Sequence, residues 1–434
     1  MKNKFPKAGR VPACALTALL ALCASGAHAE SSLISAIEQG KPIVDLRARY
    51  EGVDDASKPL DASAVTFRGR IGYETGMWNG ISVLAELDQI WALADDYNST
   101  RNGKFTYPVI ADPAMTALNR LQLTFAPDES TKIILGRQRL LLGDQRFIGN
   151  AGWRQHEQTF DALTVTNASV ASLALSYSYV ERVNRVFGPA DPKPAAGPAG
   201  AFHCDCHLLD AVYTGLAPLK LEAFGYLLDL SPRHGPAAAM LATSKLSTAT
   251  YGARADYQID LAQGISAQFM GEYAHQSAYR NNPLSLDLNY WRGEAGIGYD
   301  GLTGMAGYEA MQGNGVAGFS TPLATIHAFD GWADMFLTTP ANGLDNLYFK
   351  ASYVVPRVAE TLNIKSVTAT VIYRDFTADK TGIGIGTEWD GALDIAIDKR
   401  ASLLLQYADY QGTGIGLGGF AGKSIFWVQA AYKY

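Results

Sequence analysis

Along most of the chain, apolar and polar residues alternate one for one. In VDLRARYE, residues 44–51, the apolar set is Val44, Leu46, Ala48 and Tyr50, and the charged set is Asp45, Arg47, Arg49 and Glu51. Period two marks a β-strand whose two faces meet different surroundings, and no helical period fits it. The pattern recurs over 43–51, 63–74, 80–91, 118–126, 131–139, 159–167, 171–181, 208–215 and 218–229. It continues over 247–260, 263–275, 287–299, 302–312, 344–355, 364–376, 382–397, 399–411 and 424–434. These segments predict roughly eighteen strands, most about nine to thirteen residues long, which suits tilted membrane strands better than the shorter strands of soluble sheets.

The connections alternate as well. Those after even strands are short, as at 75–79, 127–130, 216–217 and 300–301, whereas those after odd strands are mostly long, as at 92–117, 140–158, 182–207 and 313–343. Short turns on one rim and long loops on the other predict an all-β fold: a transmembrane antiparallel β-barrel with short periplasmic turns and long extracellular loops. An even strand number puts both ends of the barrel in the periplasm. The last segment, SIFWVQAAYKY, places Phe426, Val428, Ala430, Tyr432 and Tyr434 on one face and stops on an aromatic residue, as the assembly signal of outer-membrane barrels does. Closure is required because lipid cannot satisfy an open strand edge.

The first residues set the compartment. Lys2, Lys4, Lys7 and Arg10 precede an apolar stretch at 11–24, and Ala27-His28-Ala29 forms a small-x-small cleavage site, so residues 1–29 read as a secretory signal peptide and 30–434 as a single barrel domain in the outer membrane of a Gram-negative bacterium. Leu22 before Cys23 and Pro12-Ala13 before Cys14 argue against a lipoprotein. Without the signal the chain carries 32 basic and 42 acidic residues, a net charge of −10, which offers nucleic acid no partner. Two cysteines remain, Cys204 and Cys206, too few for a disulfide framework. No later run of about 18 apolar residues is present to form a spanning helix.

With the apolar set facing lipid, the opposite set faces the lumen and is rich in arginine. Arg47 and Arg49 lie there on the first strand. AVTFRGRIGYE turns Arg68 and Arg70 inward, YGARADYQI turns Arg254 and Asp256 inward, and NRLQL and VIYRD do the same for Arg120 and Arg374. Guanidinium groups stay charged and hold carboxylates in a two-pronged fork, so rungs of arginine suit the passage of an anion. The plainer alternative is that these arginines pair with lumen acids such as Asp45, Glu86, Asp88, Glu222, Glu272 and Glu294 and brace the wall.

Two stretches carry a family resemblance. GRQRLLLGDQRFIGNAGWRQHEQTFDAL, residues 136–163, and TPLATIHAFDGWADMFLTTPANGL, residues 321–344, resemble segments of the alginate export family of outer-membrane β-barrels. The resemblance implies an eighteen-stranded barrel with an electropositive constriction guiding a uronate polymer outward, with Arg137, Arg139, Arg146 and Arg154 as candidate contacts and Asp144 and Asp161 beside them. It implies an anionic polysaccharide or a sugar acid as substrate, outer-membrane lipid around the barrel and, for an exporter, periplasmic secretion components. The loop of the first stretch also holds Leu140, Leu141, Leu142, Phe147 and Trp153, too many apolar residues to hang in water, so it is expected to fold into the barrel mouth. In the second stretch Trp332 either stacks on a sugar or packs within a self-supporting lid, the latter being preferred.

Other signals are set aside. HCDCH, residues 203–207, places four potential metal ligands at the end of a predicted extracellular loop, but alternate side chains on one extended segment diverge. A loop disulfide or an incidental pair is expected instead, with no metal and no cofactor. GGFAGKS, residues 418–424, lacks the first glycine of a phosphate-binding loop, since Leu417 stands there, and a strand follows. A hydrolase would need a converging serine and histidine. His156, His203, His207, His234, His275 and His327 come with no G-x-S-x-G elbow, so no enzyme is expected. The predicted function is a passive outer-membrane channel of alginate-export type, the alternatives being an anion-selective or sugar-acid uptake porin and a sealed structural barrel.

Overall fold

A computed structural model describes residues 32–189, 199–232, 237–359, 364–414 and 420–434. The predicted signal peptide lies outside these residues, as do the start of GGFAGKS and most of the proline-rich stretch that precedes HCDCH.

The strands are β1 (Lys41–Asp55), β2 (Ala62–Glu74), β3 (Ile81–Asp96), β4 (Met115–Phe125), β5 (Thr131–Gln138), β6 (Thr159–Asn167), β7 (Leu173–Asn184), β8 (Ala201–Leu216) and β9 (Leu219–Leu228). After Asp229, β9 resumes as Leu230–Pro232. There follow β10 (Thr248–Asp260), β11 (Ile265–Ala278), β12 (Asp287–Tyr299), β13 (Leu302–Met311), β14 (Leu344–Ala359), β15 (Ile364–Thr377), β16 (Gly384–Ala396), β17 (Ala401–Gly412) and β18 (Lys423–Lys433). Each pairs antiparallel with its neighbours in sequence, and β1 closes the sheet on β18 from Asp45↔Lys433 to Asp55↔Lys423. The Tyr434 amide donates to the Val44 carbonyl at 2.8 Å, so both ends of the sheet share the rim of the short turns. Closure leaves no edge for lipid to meet. A closed barrel of this size belongs to an outer membrane, and no helix among the described residues is long and apolar enough to cross a bilayer.

The predicted faces are the observed ones. On β18, Phe426, Val428 and Tyr432 are exposed on the outer face, whereas Ile425 and Trp427 point inward and are buried. On β2, Ile71 and Tyr73 are exposed outward, with Arg68 and Arg70 buried inside.

Three features depart from the sequence reading. Strands run from 8 to 16 residues, longer than expected at the loop rim, where β1, β3 and β8 continue past the apolar belt. HCDCH lies within β8, not in a loop. Phe202, Cys204, Cys206 and Leu208 are buried inward while His203 and Asp205 point out, and Cys204 is disulfide-bonded to Cys206. Above the hydrocarbon the outer face meets water and the inner face meets packed loops, so the sense of the alternation inverts and hides the strand. The third departure is the interior itself. Phe147, Phe160, Phe224, Tyr226, Tyr290, Phe319, Phe336, Phe376, Tyr410 and Trp427 belong to one buried cluster inside the barrel, so the upper lumen is packed, not simply charged and wet. Two short helices, α1 (Leu33–Glu38) and α2 (Ala237–Ser244), carry no signal in the alternation.

Val371 lies midway along β15 on the outer face and is exposed. Val371→Arg is expected to lower folding stability in vesicles by about 2–4 kcal/mol, measured as a shift in the urea midpoint. An unchanged midpoint would show that this face is not in lipid.

Candidate functional site

Two long loops enter the barrel and hold each other. Loop 139–158 follows β5 and loop 312–343 follows β13. Ile148 and Leu323 form a parallel bridge, and the Gly149 amide donates to the Leu323 carbonyl at 2.9 Å. The Gln158 side chain donates to the carbonyls of Gly149 and Leu323, and the Thr325 amide donates to the Gln145 carbonyl at 3.1 Å. The apolar residues of the first loop explain its entry. Phe147 packs against Phe224 and Tyr226 of β9, Tyr290 of β12 and Phe319 of the second loop, at centroid distances of 4.9–6.1 Å. Trp153 stacks on His327 at 4.5 Å, with Trp427 of β18 edge-on to both. Trp332 lies nearly parallel to His327 and packs on the core, as a self-supporting lid requires.

Buried charge fixes this clasp to the wall. Arg146 is fully buried. It donates to Glu309 of β13 at 2.5 Å and to Asp330 of the second loop at 3.1 Å. Arg154 reaches Glu51 of β1 at 3.2 Å and Asp334 at 2.7 Å, and Asp334 also holds His327 at 2.9 Å. Asp144, near the tip of the first loop, accepts from both Arg254 of β10 and Arg292 of β12. Gly143 beside it adopts φ +55° and lies so close to Glu222 that a Cβ would sit 2.7 Å from the carboxylate. In the second loop Gly331, at φ +92°, lies against Glu388, whose carboxylate accepts from the Ala333 amide at 2.9 Å. A side chain at either glycine would combine a left-handed backbone with a clash.

The lumen arginines divide into two groups. Arg47 donates to the carbonyls of Gly152, Trp153 and Arg154 at 3.1–3.2 Å. Arg49 donates to the Trp153 carbonyl at 2.7 Å, and its guanidinium lies 4.1 Å over the Trp153 ring. Arg68 pairs with Asp45 and donates to the Gln155 carbonyl, while Arg70 forks Asp88 and reaches Glu157 at 2.9 Å. These four side chains form a cradle for residues 152–157. Arg374 belongs with them, bonded to Asp390 and to the Phe329 carbonyl at 2.7 Å. In this group the bracing alternative describes the geometry.

The second group is partly exposed: Arg120 of β4 and Arg139 at the start of the first loop face the lumen, whereas Arg137 of β5, expected at the constriction, stands in register with Leu121 and Asp161 on the outward set that includes Leu135 and Leu163. Arg120 forks Glu86 at 2.9 and 2.7 Å, Arg137 forks Asp161 at 2.7 and 3.0 Å, and Arg139 forks Glu157 at 2.7 and 2.6 Å. Their side chains are 15, 20 and 30 % exposed. A guanidinium has five N–H donors and the fork occupies two. The Nη1 groups of Arg120 and Arg139 make no hydrogen bond among the described residues and remain open to a solute. Arg254, partly exposed on β10, is held by Asp256 and Asp144. Arg292 escaped the sequence selection although Tyr290, Arg292 and Glu294 alternate visibly in NYWRGE. The loop partners Glu157, Asp330 and Asp334 carried no signal of pairing, because each meets an arginine brought to it by the closed sheet.

Burial opposes ionisation of the loop carboxylates, and their partners decide the outcome. For Glu157, the hydrogen bond from Arg139 and the charges of Arg70 and Arg139 outweigh burial and hold the carboxyl well below its usual range. For Asp334, His327 and Arg154 do the same. Asp330 goes the other way, because burial and neighbouring Glu309 outweigh Arg146 and push it up to about 7.

No family model matches the chain, and no curated protein matches it in sequence. Its fold is similar to that of solved Pseudomonas aeruginosa structures. OpdK, crystallised with vanillate, superposes with a TM-score of 0.67 at 13% identity over 92% of this chain and 99% of its own. OccK9 (OpdG) gives 0.66 at 16% identity over 92% and 100%, and OccD3 (OpdP) gives 0.59 at 12% over 90% and 91%. At such identities the likeness is one of fold, that of an outer-membrane barrel, and it lends no weight to the alginate resemblance of the two loop motifs.

Two predictions test the clasp. Arg146→Ala leaves Glu309 and Asp330 buried without their cation and is expected to destabilise the clasp by about 3–5 kcal/mol. The readouts are new protease cleavage within 139–158 and a noisier single-channel current; a quiet, resistant variant would refute the hub role. The second concerns pH. Glu157 and Asp334 have lowered values, so their stabilisation is present above the ordinary carboxylate range and lost as pH falls through the lowered values. Asp330 is raised, so its contribution is complete below the ordinary range and lost as pH rises through about 7. Loop protection should therefore peak near about pH 4 and decline from there to about pH 7. Asp330→Asn should remove the decline on the alkaline side and leave the acid side in place, as read by protease protection across pH.

Proposed function

We propose that the protein is a passive, non-enzymatic outer-membrane channel that admits small organic anions such as sugar acids. The observation that carries this reading is the pair Arg120 and Arg139, already oriented by their own carboxylates yet still partly exposed beside the clasp. A passing carboxylate gains charge-assisted hydrogen bonds from the outer edges of these groups without having to break the wall. Because each arginine already holds a carboxylate of the wall, a passing anion competes with that partner and binding stays weak and exchangeable, which conduction requires. The fold likeness to OpdK, solved with vanillate, a small carboxylate, is in keeping with this.

Export of a uronate polymer, with periplasmic components supplying it, is the second reading and rests on the motifs at 136–163 and 321–344. The clasp favours small solutes, since loops fixed by buried ion pairs narrow the route a long polyanion would need. Direct contact with substrate is assigned to Arg120 and Arg139, whereas Arg47, Arg49, Arg68, Arg70, Arg146, Arg154 and Arg374 position the loops.

Planar-bilayer recordings test the reading. Purified protein should show an anion-selective reversal potential in a salt gradient, with current blocked by monomeric galacturonate or vanillate. Arg139→Ala should weaken that block about tenfold, the equivalent of about 1.5 kcal/mol for one charge-assisted bond. Block by mannuronate oligomers but not by monomers would favour the polymer route. Cation selectivity would overturn both readings, and absence of any open current would leave a sealed structural barrel.

A further inference from the structure

Among the described residues, helix α1 leaves three large apolar side chains exposed. Leu33, Ile34 and Ile37 are 55, 67 and 49 % exposed. Ser32 caps the helix, its hydroxyl accepting from the Ser35 amide at 3.0 Å, so the turn is a formed element and not a frayed end. Helical spacing gathers Leu33, Ile34 and Ile37 on one arc, with Glu38 one turn beyond Ile34 at its border and Ser35 on the opposite side.

The position of the helix indicates what covers that arc. The Tyr73 hydroxyl donates to the Ile37 carbonyl, and the Gly76 amide donates to the Ala36 carbonyl at 2.8 Å, with Ala36 itself buried. Tyr73 follows Ile71 on the outward, lipid-facing set of β2, and Met77 and Trp78 in the turn beyond are exposed as well. The helix is thus fastened to the outer wall at the rim of the short turns. Its apolar arc continues the lipid-facing surface of the barrel past the end of the strand.

We infer that α1 lies in the interface of the periplasmic leaflet and inserts Leu33, Ile34 and Ile37 among the acyl chains, as a monotopic anchor beside the end of β2 and the β2–β3 turn. A short helix with a compact apolar arc and polar residues opposite has the form of an interfacial segment. Tyrosine and tryptophan at the same level suit the headgroup boundary. The contiguity with the outer wall favours lipid over a soluble periplasmic partner, which would meet the rim and not the wall.

The test is nitroxide accessibility at Ile34→Cys, with Ser35→Cys as the polar-side control and Leu33→Cys as a second apolar position. The full chain is folded into phosphatidylethanolamine–phosphatidylglycerol bilayers, with heat-dependent gel mobility confirming the barrel and Cys204 and Cys206 kept oxidised. At Ile34 and Leu33, relaxation by oxygen should exceed relaxation by a water-soluble nickel chelate, and the order should reverse at Ser35. Greater access of the nickel chelate at Ile34 and Leu33 would place the helix in water and overturn the anchor. Low access of both reagents would mean burial against protein, which overturns it equally.

Discussion

A backbone surrounded by hydrocarbon has no water to bond to, so every strand needs two neighbours, and that requirement closes this sheet on itself through β1 and β18. Much of the architecture follows. Closure creates an inside, the strict period of the strands sends charged residues there, and the long loops on one rim find an enclosed space into which their apolar side chains can turn. Once inside, a loop brings polar backbone with it, and that backbone has to be satisfied at the wall. Arg47, Arg49 and Arg68 meet this need by donating to the carbonyls of residues 152–155.

Buried ion pairs of this kind add less to stability than their number suggests, because desolvation offsets much of the attraction. Their value here is geometric. A guanidinium fork accepts its carboxylate in one plane and one direction, so Arg146 between Glu309 and Asp330 admits few alternative loop placements. The aromatic stack of Trp153 on His327 fills the same joint with apolar contact. Charge sets the register of the two loops and aromatic packing gives them cohesion, while the partly exposed Arg120 and Arg139 remain at the margin.

The barrel was legible in the sequence because lipid imposes a one-for-one alternation that loops and soluble sheets do not sustain over so many segments. Val44 to Glu51 already shows it, and the inward placement of Arg68, Arg70, Arg120, Arg254 and Arg374 followed from counting by twos. The inward folding of loop 139–158 was legible from its leucines, Phe147 and Trp153. Which carboxylate each arginine would meet was not, because partners such as Arg154 and Asp334 come together only through the closed sheet and are 180 residues apart. HCDCH was misplaced for a related reason: alternation reports the contrast between two solvents, and at the loop rim that contrast changes sign.

The reach of the clasp along the chain also orders its assembly. Arg146 and Glu309 are separated by 163 residues, with the strands β6 to β12 between them and Glu309 on β13. A wall that stops short of β13 contains no Glu309 and no second loop, so it cannot hold the clasp however well its early strands are paired. The entropy of joining segments so distant is met only after the intervening hairpins have formed. The narrowing of the passage is therefore bound to a wall that reaches at least to β13, and a shorter wall would enclose an undivided interior.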